Sequence, residues 1–243
     1  MGMSGKLLRP KASGFNPKSI AGLQAWWDFS DASTLGPTSS GVGTVTNNGP
    51  VKFVADKSTS GFNLTATHSD ANSPSFVASS LNGKSALSFD GGDVINASTG
   101  AIMTGPFTLF IVCRANATGS TRVCGVGSTR SLGPFAASNT QWGFFNAGGV
   151  QPFGATATSA SVLAVTCTSG LAGVFWGNGT QSATATIASM TPGSFGIGSD
   201  AAGTAGTLNG VAYECLSYSS ALSSSQVTIV SRWLGAKWGI TVA

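Results

Sequence analysis

Charge is what this sequence has least of. Charged residues make up 8% of its 243 positions, against roughly a quarter in ordinary soluble domains. There is one histidine, His68, and one glutamate, Glu214. Each scarcity excludes a chemistry. The four cysteines, Cys113, Cys124, Cys167 and Cys215, never form a C-x-x-C pair and have no clustered histidine, so a structural zinc site is not expected. They read as buried, reduced thiols. A serine hydrolase would have to use His68, and there is no G-x-S-x-G elbow. A retaining glycosidase needs two carboxylates about 5 Å apart, and Glu214 has no acid two or four residues away. The arginines Arg114, Arg122 and Arg130 give no reason to converge. The glycine loops "GVGSTRSLG" and "FGIGSDAAG" carry no phosphate-loop lysine and read as turns. The expectation is therefore that the chain is not an enzyme. No run approaches the ~18 consecutive apolar residues of a membrane span, nor does the start "MGMSGKLLRPKASGF" look like a signal peptide, so no membrane partner is expected.

What is present is apolar, small and turn-rich. Hydrophobic residues make up 42% of the chain, aromatics 9%, and there are 34 glycines. Short apolar runs separated by Gly, Asn, Ser and Asp clusters recur from "GLQAWWDF" to "LNGVAYECLSYS", the spacing of an all-β sandwich. In "PFTLFIVCR" both alternating faces are apolar, which predicts a central strand covered on both sides. One helix is expected over about 223–238. Ser223 and Gln226 form a capping box, Val227, Val230, Leu234 and Trp238 share a face, and Gly239 supplies the stop. Residues 1–20 read as an extended arm and 21–243 as one domain. Four of the twelve basic residues fall within the first 18 positions, before the first acid, Asp28, so the arm is basic and the remainder neutral. The arm also carries Leu7, Leu8, Phe15 and Ile20. That mixture suits lying along a neighbouring protein better than specific nucleic-acid binding.

Five segments occur in an order that resembles LamG-like domains of the concanavalin A-like lectin/glucanase superfamily, as found in tailed-bacteriophage virion proteins. They are "GLQAWWDFSDASTL", "FVADKSTSGFNLTAT", "SALSFDGGDVI", "FTLFIVCR" and "LSYSSALSSSQVTIVSRWLGAKWGI". The resemblance spans about residues 21–241. It implies a jelly-roll sandwich of two antiparallel sheets and a structural virion protein, of capsid or tail, made in the host bacterial cytoplasm.

The candidate residues follow from these readings. Lys6, Leu7, Leu8, Arg9, Lys11, Phe15, Lys18 and Ile20 are the expected partner-binding arm, with other virion proteins as partners. The low-charge body is expected to self-associate, for example as a trimer. The alternative is a module that adheres to a host surface glycan through Trp142 and Trp176, both flanked by Asn or Gln and by apolar neighbours, and the third reading is a glycoside-active enzyme. No cofactor is required. Calcium is the one ion to test, on Asp90 and Asp93 of the "FDGGD" turn, although such aspartates more often bond their own turn. Of the adjacent Trp26 and Trp27, one is expected in the core and the other near the closing helix or the arm, since neighbouring strand residues point to opposite faces.

Overall fold

The structure is a computed structural model that describes residues 14–97, 102–119, 121–126, 130–136, 138–146, 149–187, 193–199 and 206–243. Two antiparallel sheets face one another. The first has eight strands, in the order Thr180–Thr186, Ala172–Gly177, Ser161–Cys167, Phe107–Ala115, Asn209–Tyr218, Lys84–Asp90 and Ser75–Leu81, with β1 (Leu23–Asp28) also on Asn209–Tyr218. The second has nine, in the order Gly149–Thr156, Gln141–Asn146, Arg130–Ala136, Cys124–Val126, Phe195–Ile197, Ile95–Ala97, Leu64–Thr65, Phe53–Val54 and Leu35–Gly36. This is the all-β sandwich expected from the strand spacing, and the jelly-roll that the resemblance implies.

The central strand Phe107–Ala115 shows why two apolar faces are needed. Phe107, Leu109, Ile111 and Cys113 enter the core between the sheets, whereas Phe110 and Val112 join a second cluster on the outer face. That outer cluster is roofed by helix α1 (Ser224–Trp238), whose Val227, Val230, Leu234 and Trp238 are buried. The helix begins at the Ser223–Gln226 capping box. It ends at Gly239, which adopts φ 71°, a left-handed conformation available to glycine without Cβ strain.

The adjacent tryptophans divide as expected. Trp27 is fully buried between the sheets, stacked on Phe195 at 5.4 Å and donating Nε1–H to the Phe62 carbonyl at 2.7 Å. Trp26 points the other way, to the outer cluster, and meets the Trp233 ring of α1 at 6.0 Å. All four cysteines are buried and unpaired, and burial pushes the Cys124 thiol well above its ordinary range.

The arm boundary at residue 20 is corrected. Residues 1–13, with Lys6, Leu7, Leu8, Arg9 and Lys11, lie outside the described residues. Residues 14–20, however, are part of the body: Phe15 packs edge-on against Trp233 at 5.8 Å, and Ile20 is 9% exposed within the outer cluster. Phe15 and Ile20 are thus taken up by this chain's own apolar surface, because that surface is left uncovered at one end of α1. Of the three predicted partner-binding residues in the described part, Phe15, Lys18 and Ile20, only Lys18 is exposed.

Candidate functional site

The charge that the sequence rations is concentrated where β1, the Asn209–Tyr218 strand and α1 meet. Asp28 and Glu214 are register partners across the two strands, and Lys237, in the last turn of α1, reaches both. Its Nζ lies 2.7 Å from Asp28 Oδ1 and 2.8 Å from Glu214 Oε2. Lys57 closes the other side, 3.1 Å from Asp28 Oδ2 and 2.7 Å from Asp31 Oδ2. Tryptophans complete the clasp. Trp26 Nε1 donates to Glu214 Oε1 and Trp238 Nε1 to Glu214 Oε2, each at 2.8 Å. Lys57 stands 4.8 Å over the Trp26 ring, and Lys237 5.2 Å from that of Trp238.

Glu214 is fully buried. Burial and the neighbouring Asp28 charge push its carboxyl above the ordinary range, and Lys237 and Trp26 offset this only in part. Burial also raises Asp28, but Lys237, Ser30 and Lys57 outweigh it and hold that carboxyl below its ordinary value. Lys57 and Ser33 hold Asp31 low as well. Burial works against the Lys57 ammonium, yet Asp31 and Asp28 keep its pKa raised. The arrangement fixes strand, turn and helix in one geometry while leaving Trp26, Trp233 and Phe15 half-exposed beside it. Beneath Trp26, the Asp56 carboxylate accepts from the N–H groups of Trp26, Ser58 and Phe62 at 2.8–3.0 Å, so it serves the turn.

The other predicted residues are dispersed. Trp142 is fully buried and Trp176 is 5% exposed, which corrects their reading as glycan platforms. Trp142 points inward with Phe144, into the core between the sheets, and Trp176 belongs to the cluster around α1. Phe145, on the opposite face to Trp142, is half-exposed and meets Phe135 at 6.2 Å. Asp90 and Asp93 bond their own turn: Asp93 Oδ2 accepts from Asp90 N–H and Asp90 Oδ1 from Gly92 N–H, both at 2.9 Å. Among the described residues no group of three or more His, Cys, Asp or Glu is placed to hold a metal.

Burial and the neighbouring Asp90 raise the Asp93 carboxyl to about 6. A raised carboxyl contributes stability below its ordinary pKa, and that contribution is lost as pH rises through the raised value. Stability is therefore expected to fall between about pH 4 and 6 by on the order of 2–3 kcal/mol from this group. Asp93→Asn, which keeps an acceptor for Asp90 N–H, is expected to flatten that interval in urea titrations.

No protein-family model and no curated protein sequence matches the chain. Solved structures do. Domain 4 of AbnA, a GH43 extracellular arabinanase from Geobacillus stearothermophilus, solved with arabinotriose, is 15% identical with TM-score 0.61, covering 86% of this chain and 98% of that one. Trypanosoma rangeli sialidase is 15% identical with TM-score 0.59, covering 91% of this chain. An arabinofuranosidase complexed with arabinofuranosyl-alpha-1,2-xylobiose is 15% identical with TM-score 0.60, covering 89% of this chain. The chain spans 34% of the sialidase and 59% of the arabinofuranosidase.

These likenesses define the class: the chain is a concanavalin-like β-sandwich. They also correct the expectation that it is not an enzyme. The same sandwich occurs within an arabinanase, a sialidase and an arabinofuranosidase, so that expectation is withdrawn.

Proposed function

We propose that the chain is a structural component of a tailed-bacteriophage virion, on capsid or tail, held there by residues 1–13 and by contacts between copies. The observation that supports this most is the point where the chain enters its body. Phe15 against Trp233 and the buried Ile20 seat this point on the body, directly preceded by a segment with three basic residues, two leucines and no acid. The rest of the chain holds nine basic residues against eight acidic ones. A basic, apolar leader on a near-neutral body suits an acidic or apolar groove on a neighbouring virion protein. Deleting residues 1–13 is expected to remove the protein from purified particles, read by mass spectrometry of the particles; incorporation at the wild-type level would refute the anchor.

A second reading, adhesion to a surface glycan, is favoured by one comparison: the arabinanase domain matched over nearly its whole length was solved with arabinotriose. On this reading the half-exposed Phe135 and Phe145 replace the buried tryptophans as the aromatic surface. Phe145→Ala would then weaken retention on arabinan or host polysaccharide at least tenfold, with release of reducing ends measured in the same samples.

A further inference from the structure

The segment Gly14–Ile20 is a strap with its own internal structure. Asn16 Oδ1 accepts from Lys18 N–H at 3.0 Å, and Ser19 Oγ donates to the Asn16 carbonyl at 2.7 Å. These bonds brace the 3-10 turn Pro17–Ser19. The strap grips the body at three places. Phe15 meets the Trp233 ring at 63°, the Pro17 carbonyl accepts from Tyr218 Oη at 3.2 Å, and Ile20 is buried in the cluster under α1.

Between strap and β1 lie Ala21 and Gly22, both exposed, with Gly22 at φ 85°. The Gly22 carbonyl is tied to the body by Ser219 N–H at 2.8 Å. Rotation about the Gly22 N–Cα bond therefore swings the strap while that tie stays made. β1 keeps its pairing with Asn209–Tyr218, because the register begins at Leu23.

We propose that this strap is exchanged between copies: Phe15, Pro17 and Ile20 of one chain seat on Trp233, Tyr218 and the outer cluster of a neighbouring copy. The seat is shown by its present occupant, since identical chains offer identical surfaces. Every contact made within one chain can be made between two, so the exchange costs hinge rearrangement and association entropy and is driven by concentration. Residues 20–22 extended reach about 10 Å, which requires the two bodies to meet beside the C-terminal half of α1. The inference rests on the self-association in the proposed virion role and names the element that provides it.

Two full-length variants test it. Phe15→Ala/Ile20→Ala can accept a strap but donates a poor one, and Trp233→Ala can donate but accepts poorly. Each alone is expected to be monomeric by native mass spectrometry at concentrations where the wild-type chain is assembled, and an equimolar mixture is expected to give a one-to-one complex. On the wild-type chain, an excess of a synthetic peptide of residues 13–22 is expected to dissociate the assembly, and the same peptide with Phe15→Ala is not. A wild-type chain that is monomeric throughout, an assembly indifferent to the peptide, or a mixture without complex would overturn the exchange. Particle incorporation that depends on residues 1–13 but ignores the peptide would leave the virion role standing without it.

Discussion

Lys237→Met is expected to lower the unfolding free energy by about 3–5 kcal/mol, the cost of stranding buried charge when one member of an ion cluster is removed. Methionine preserves much of the stem that packs beside Trp238 and removes only the ammonium. Glu214, fully buried, and Asp28, 6% exposed, then keep their charges with Lys57 as the one remaining cation, and Lys57 touches Asp28 but not Glu214. Urea unfolding at neutral pH should show the loss as a lowered midpoint with an unchanged slope. Losing the cation raises both carboxyl pKa values, so the variant's deficit should shrink as pH falls and the stranded groups take up protons. Adding Asp28→Asn and Glu214→Gln should recover part of the loss at neutral pH. A deficit independent of pH would show that Lys237 acts through packing alone.

Trp27→Ala is the other large effect, expected at about 3–5 kcal/mol. Trp27 belongs to a strand of the first sheet, yet its ring stacks on Phe195 of the second and its Nε1–H satisfies the Phe62 carbonyl. Truncation therefore opens a void between the sheets and leaves a carbonyl without its donor. Trp27→Phe should lose less, because it keeps most of the ring against Phe195 and forfeits the hydrogen bond. A loss for Trp27→Phe of less than half that for Trp27→Ala, read from urea midpoints, checks that the ring rather than the indole N–H carries the larger share.

Local periodicity made much of the fold legible. "FTLFIVCR" announced a strand with two apolar sides, and both are covered, by the facing sheet on one side and by the cluster under α1 on the other. Ser223, Gln226 and Gly239 marked the helix ends, where capping chemistry acts over three or four residues. The ion clasp was not legible. Its members come from four separate stretches, and only the register Asp28 to Glu214 brings two of the acids opposite each other. One signal was available: the chain's single glutamate lies inside the apolar run "VAYECLSYS", and a buried carboxylate demands partners. Trp142 and Trp176 were misread because composition around a strand residue cannot say which face is covered. Phe15 and Ile20 were read as partner-binding residues, and here they pack on the chain's own apolar surface, because their apolar character suits that surface as well as a neighbour's.

The pairing of β1 with Asn209–Tyr218 joins segments that are made far apart in time. Trp26 bonds to Glu214 across 188 residues of chain. At elongation rates of roughly 5–20 residues per second, β1 leaves the ribosome some ten to forty seconds before its partner strand exists. During that interval a strand bearing two tryptophans is open to any other unpaired edge. The helix and Lys237 are made later still, so the ion clasp around Asp28 closes only after all of these segments have been synthesised.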